Sequence, residues 1–150
     1  ALGLALALSD IPVTHPAHAR LLAIYQQHIS TLLNHHDVDG MWHNIIDLPG
    51  SWGELSATAM IATAIQRGVD NQWLDAFYQN VVEHAWEAVV LRTDDDMGFT
   101  DVCESTPGQD SFDAYVNRRA LQGRDERAGG MMLLFAAERL RARSLSRQRN

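Results

Sequence analysis

Six residues carry the chemistry that stands out in this chain of 150: Trp42, Glu54 and Ser56 in its first half, and Tyr115, Arg124 and Asp125 in its second. Aromatic rings stack on the apolar faces of pyranoses, and an arginine grips a carboxylate through two parallel hydrogen bonds. Ser51 and Trp52 flank the first group, and Asp113 and Arg119 flank the second. Together these are the side chains that a sugar-acid site needs. A plainer reading stands beside this one. Glu54 and Asp125 suit the positive ends of helices, while Trp42 and Trp52 suit the edge of a core. The residues alone weigh the two about equally.

Other constellations say less. His35, His36, Asp37, Asp39 and His43 are dense enough to bring zinc to mind, but adjacent histidines point apart and the helical i, i+4 spacing of ligands is missing. Asp37-Val-Asp-Gly40 and Asp94-Asp-Asp-Met-Gly98 open like calcium loops, yet Leu48 and Ser105 stand where the twelfth-position Glu belongs. Neither metal is expected. His15 and His18 read as surface residues at a helix start. There is no GxSxG elbow, no glycine-rich phosphate loop and no HExxH. One cysteine, Cys103, permits no internal disulfide and reads as a free thiol.

The elements that must position these residues are helical. The opening Ala-Leu-Gly-Leu-Ala-Leu-Ala-Leu8 reads as the last turns of a buried helix already under way, so the chain is expected to be a fragment of a longer domain. A second helix is expected from about Pro16, with Thr14 as its N-cap. Its inward stripe would be Leu21, Ile24, Tyr25, His28, Ile29, Leu32 and Leu33. Residues 37–40 turn the chain, Met41 to Ile46 could be extended, and Pro49-Gly50-Ser51 breaks it again.

From Glu54 to Gln66 the pattern loses its polar face, which marks a helix buried on all sides. Gly68 is its expected C-cap. An amphipathic helix is expected from Asn71 to Arg92, with Leu74, Phe77, Tyr78, Val81, Val82, Ala85 and Val89 inward. Residues 99–124 read as loop. Ala128 to Ala137 forms a second small-residue helix. Tyr25 and Tyr78 stand 53 apart, and Gly40 and Gly98 stand 58 apart. The chain thus repeats a unit of amphipathic helix, Asp-rich turn, loop and fully apolar helix. Wrapped inner helices imply a closed double ring of which this chain holds a part.

Composition agrees with a globular domain: 46% of residues are hydrophobic and 21% charged. Residues 1–117 carry three Arg against sixteen Asp and Glu, whereas residues 118–150 carry nine Arg against three acids. The acidic body argues against nucleic acid as a main ligand. The basic end, 144–150, reads as a solvated tail after a domain spanning 1–143. Eight apolar residues at the start are too short to cross a bilayer, and no signal-type segment is visible. No membrane association is expected, and the cytoplasm is the expected compartment.

Gly40-Met-Trp42, Pro49-Gly-Ser51 and Glu54-Leu-Ser-Ala-Thr-Ala-Met60 closely resemble the family 88/105 glycoside hydrolases, the unsaturated glucuronyl and rhamnogalacturonyl hydrolases. Trp73-Leu-Asp75, Ala85-Trp86, Gly98-Phe99 and the run from Gly129 to Glu138 keep the family's order and spacing. The resemblance extends to about residue 140. It implies an all-α fold, the C-terminal part of an (α/α)6 toroid built of helical hairpins.

The resemblance also implies a reaction. The substrates are oligosaccharides left by pectin and rhamnogalacturonan lyases, which end in a 4,5-unsaturated uronic acid. An Asp hydrates the vinyl ether, and the hemiketal collapses to release the sugar. No cofactor is needed. The family's catalytic Asp lies ahead of this chain, and neither Asp37 nor Asp113 replaces it. The resemblance carries over a supporting wall of the cleft: Trp42, Glu54, Ser56, Tyr115, Arg124 and Asp125. Many members carry His-Gly before the last inner helix, where Arg124-Asp-Glu-Arg-Ala-Gly129 stands here. The competing expectation is a non-catalytic helical-repeat module that binds carbohydrate or a protein. An (α/α)6 epimerase fits less well, because the inner helices lack His.

Overall fold

The structure is a computed structural model that describes residues 1–48 and 50–149, with side chains through Ser144. Six helices and two short strands follow in the order α1 Leu2–Asp10, α2 His18–Leu33, α3 Leu55–Asp70, α4 Tyr78–Val90, β1 Phe99–Val102, α5 Phe112–Val116, β2 Leu121–Gly123 and α6 Glu126–Arg149. Among the described residues, no helix is long and apolar enough to cross a membrane.

The helices form an arc of two layers. α3 lies at its centre, packed against α1 on one side and α6 on the other, with α4 behind it. Its Leu55, Thr58, Ala59, Ile61, Ala62, Thr63, Ala64 and Ile65 are all buried. Small side chains allow neighbouring helices to close on it from several directions. Thr63 remains compatible with that burial because its hydroxyl donates to the carbonyl of Ala59.

α3 and α6 run parallel. At their C-terminal ends Arg67 meets Glu138 and Asp70 meets Arg141. At their N-terminal ends Ser56 and Met60 share a cavity with Arg127 and Met131. Both ion pairs join residues 71 apart, and the same interval separates Glu54 from Asp125, the residues immediately before the two helices.

Several sequence expectations are corrected. α2 begins at His18 with Ala17 as cap and no side-chain capping bond, so Thr14 does not cap it. Ile24 and His28 face water, and His18, expected at the surface, is buried. Gly68 does not end α3, which runs two residues further to Asp70. A Cβ at position 68 would lie 2.2 Å from the Tyr25 hydroxyl oxygen and 2.6 Å from Leu74, so the glycine serves close packing. α4 starts at Tyr78 rather than Asn71, because residues 71–77 make the reversal between antiparallel α3 and α4, and Phe77 is exposed. α6 continues through the proposed basic tail to Arg149. Of the earlier expectations, the break at Pro49 and the tail's side chains from residue 145 lie outside the described residues.

The segment read as loop holds a small antiparallel sheet. β1 pairs with β2, Phe99 opposite Gly123 and Val102 opposite Leu121, with an irregularity between them. Phe99 and Val102 both point into the core. Four residues with one slipped register show no clean alternation, so the strand leaves little trace in the sequence.

The connections from outer to inner helix share one plan. Each has an Asp-rich turn, an antiparallel bridge and an acidic cap. In the first, Gly40 takes φ +82°, and a Cβ there would meet the His84 carbonyl at 2.7 Å. His43 then bridges Gly53. In the second, Asp94 Oδ1 accepts from the amides of Asp96 and Gly98, and β1–β2 replaces the single bridge.

Candidate functional site

A cavity of about 620 Å³ opens where the N-terminal turns of α3 and α6 come together. His43, Asn44, Ser56 and Met60 line one side, and Cys103, Ser105, Thr106, Tyr115, Arg127 and Met131 line the other. The helix ends contribute positive dipole ends. Glu126 lines the rim as well, so hydroxyls, an aromatic ring, a guanidinium and an exposed carboxylate surround a partly apolar floor, an arrangement suited to a polar ligand.

Glu54 is buried at this rim and its carboxylate is saturated. It accepts from the Ser56 amide at 3.2 Å and the Ser56 hydroxyl at 2.8 Å, from the Ala57 amide, and from the Cys103 amide at 3.0 Å. The first three bonds cap α3. The fourth reaches 49 residues along the chain and fastens the loop after β1. Glu54 therefore builds the wall of the cavity. Ser56 lines the cavity with its hydroxyl directed to Glu54.

Asp125 holds the equivalent place before α6. It accepts from the amides of Arg127 and Ala128 at 3.0 and 2.9 Å and pairs with the Arg127 guanidinium at 2.9 Å. The guanidinium bond, with help from the backbone amides, holds the Asp125 carboxyl below the usual carboxylate range. Arg127, half-exposed at the cavity mouth, is the cation available there; it also donates to the Glu104 carbonyl.

The other expected site residues are placed differently. Trp42 is wholly buried. Its indole donates to the Leu32 carbonyl at 2.7 Å, and its amide donates to Thr58 at 3.0 Å, so it locks α2 to α3 beneath the rim. Arg124 donates to the Asp96 carbonyl at 3.3 Å and lines a neighbouring hollow with Asp125, Met97 and Phe99. Of the six, Glu54, Ser56 and Tyr115 line the cavity, whereas Trp42, Arg124 and Asp125 do not. Arg127, Asn44 and Ser105 are lining residues that the sequence reading missed. The interval of 71 between Glu54 and Asp125 is the sequence signal that pairs Ser56 with Arg127.

In the histidine cluster, ligand atoms of Asp37, Asp39 and His43 lie within 4.8 Å of one another. Asp37 pairs with His43 at 2.9 Å, and Asp39 pairs with Arg92 at 2.9 Å. A cation there would have to displace Arg92.

Comparison with known proteins gives a consistent result. The family model described as Glycosyl Hydrolase Family 88 matches residues 1–143. The chain is 29% identical over 145 residues to the unsaturated rhamnogalacturonyl hydrolase YesR of Bacillus subtilis (strain 168), covering 95% of this chain and 40% of that protein. It is 28% identical over 120 residues to an unsaturated 3S-rhamnoglycuronyl hydrolase of Formosa agariphila, covering 77% and 32% respectively. A solved structure of a possible family 105 member from Salmonella enterica serovar Paratyphi A superposes with a TM-score of 0.83 at 24% identity, covering 92% of this chain and 36% of that one. The chain thus spans less than half the length of these proteins, and the arc is the C-terminal part of their helical toroid.

Proposed function

Because the chain belongs to glycosyl hydrolase family 88, we propose that it is the C-terminal wall of an enzyme that hydrolyses oligosaccharides ending in a 4,5-unsaturated uronic acid. The names of the two relatives support this substrate class, with rhamnogalacturonan-derived fragments favoured. The observation that carries the reading is the cavity between two parallel inner-helix ends, with Arg127 at its mouth and Tyr115 in its wall. Arg127 would hold the uronate carboxylate, the hydroxyls of Ser105 and Thr106 would bind ring oxygens, and Tyr115 would stack on a sugar face.

The chemical step adds water across the vinyl ether. A proton goes to C4 and hydroxide to C5; the hemiketal opens to a C5 ketone and a C1 hemiacetal, which collapses to the aldehyde and releases the alcohol of the next sugar. A general acid and base must supply and remove those protons. The Glu54 carboxylate is committed to four donors, and Asp125 to α6 and Arg127. The family resemblance implies a catalytic Asp in a part of the enzyme outside these 150 residues, and on that reading residues 1–150 alone should bind without turnover. No cofactor is assigned a role. The cytoplasm is the compartment proposed.

The same saturation of Glu54 favours one second reading, a module that binds carbohydrate or protein without cleaving it. Lyase-generated oligosaccharides incubated with the protein from the complete reading frame separate the two. The hydrolase gives two shorter products whose masses sum to the substrate plus water, with the conjugated double bond lost, seen by mass spectrometry. A binding module leaves the oligosaccharide unchanged.

A further inference from the structure

Three carboxylates stand at the N-terminal ends of α3 and α6, and two of them are committed. Glu54 accepts four donors, the most distant in sequence being the Cys103 amide. Asp125 caps α6 and pairs with Arg127 at 2.9 Å. Glu126 is different. It is exposed, and its carboxylate makes no hydrogen bond or ion pair with the other described residues. An acid in the first turn of α6 suits the helix dipole. Asp125 already caps that end, however, so the fold has little need of a second acid there.

The place of Glu126 gives its free charge a consequence. It lines both the cavity of about 620 Å³ and the neighbouring hollow of about 350 Å³, so it stands on the ridge between them. Arg127 is the one guanidinium among the described residues that line the cavity, and Asp125 already shares its charge. His43, on the opposite wall, is paired with Asp37 at 2.9 Å. In the hollow, Arg124 donates to the Asp96 carbonyl beside the apolar surface of Met97 and Phe99. The rim therefore holds more negative than positive charge, and the unbalanced part is Glu126.

We propose that Glu126 sets the charge selectivity of the cavity, which admits an oligosaccharide with one negative charge and rejects one with a second. The inference rests on the reading of the cavity as an oligosaccharide site. It adds a ligand class, a terminal uronic acid joined to neutral sugars. Arg127 compensates the first carboxylate. A second carboxylate meets no further guanidinium among the described lining residues and an uncompensated like charge at the rim. Selectivity of this kind comes from a repulsive element rather than from an added contact.

The test is calorimetric titration of the protein from the complete reading frame with two saturated disaccharides. Both carry a terminal uronic acid; the second sugar is neutral in one and a uronic acid in the other. Neither has a double bond to hydrate, so binding is read apart from turnover. The singly charged ligand should bind roughly fivefold more tightly, the scale of two unit charges about 4 Å apart in water. Glu126→Gln should bring the ratio of the two affinities close to one, whereas Glu126→Asp should keep it. Raising the salt to about 1 M should shrink the ratio for the unsubstituted protein, because exposed charges are then screened within about 3 Å. An unchanged thermal melt would show that both variants are folded. A ratio that survives Glu126→Gln overturns the proposal, as does equal binding of both ligands by the unsubstituted protein. Binding of neither ligand would overturn the oligosaccharide reading itself, and the proposal with it.

Discussion

Glu138 of α6 accepts the guanidinium of Arg67 from α3 at 3.0 Å and that of Arg141 from its own helix at 2.5 Å, with its carboxylate almost wholly out of water. This pairing sets the register of the two parallel inner helices at the end opposite the cavity. Any axial slip of α6 would separate Glu138 from Arg67 and Ser56 from Arg127 together. Removing one partner leaves buried charge without compensation, whereas replacing the pair with apolar groups does not. Glu138→Ala should cost about 3 kcal/mol in urea unfolding, and Arg67→Met with Glu138→Leu should recover much of it. Equal losses in the single and double variants would contradict the pairing.

Gly68 and Tyr25 make a second test of packing. The Tyr25 hydroxyl donates to the Ala64 carbonyl at 2.7 Å, and position 68 has no room for a methyl group beside that hydroxyl. Gly68→Ala should destabilise by about 2 kcal/mol through overpacking, and Tyr25→Phe by about 1 kcal/mol through the lost hydrogen bond. Removing the hydroxyl makes room, so the double variant should lose less than the sum. Strict additivity would show that the two sites do not touch.

Glu54 should act on the cavity wall through Cys103. Glu54→Ala removes the cap of α3 and should cost about 2 kcal/mol. It should also quicken labelling of the Cys103 thiol by a disulfide reagent, because the amide tie to the loop after β1 is gone. Glu54→Gln retains an acceptor oxygen and should fall between. Unchanged labelling in Glu54→Ala would mean that the loop after β1 is held elsewhere.

The double layer, the buried α3 and the small-residue α6 were legible because their patterns are long and local. Boundaries failed where tertiary contacts decide them. Gly68 carries the signature of a helix end, but Tyr25, 43 positions earlier, requires glycine inside the helix. Trp42 has the right side chain for a sugar platform, and the Leu32 carbonyl, Thr58 and the His36 ring draw it into the core. Arg124 and Arg127 are both arginines beside the cap of α6. Helix phase decides which one reaches the cavity, and Asp125, standing between them, fixes that phase.

Acid should weaken the fold in two steps. Burial lowers the His36 affinity for a proton, and His84 adds to this, while the Gly40 backbone, Asp39 and Asp37 pull the other way. The unfolded chain therefore takes up that proton first, and stability present above the ordinary value of 6.5 declines below it. Glu83, held down by its bond to Arg139, and Asp125, held down by Arg127, are charged in the fold. Their contribution is present above the ordinary carboxylate values of 4.5 and 3.8 and is lost on further acidification. Urea midpoints should fall between pH 7.5 and 5.5, and fall again towards pH 3. His28, whose proton affinity burial also lowers, adds to the first step, so His36→Phe should shrink that step and leave the second; a first step of unchanged size would contradict the role of His36.

The most direct measurement follows ultraviolet absorbance of an unsaturated disaccharide in two parallel reactions, one with the protein from the complete reading frame and one with residues 1–150. The account predicts steady loss of absorbance in the first and none in the second, because it assigns the cavity wall to this chain and the acid to another part of the enzyme. Loss in neither would contradict the hydrolase reading. Equal loss in both would place the catalytic acid among these 150 residues.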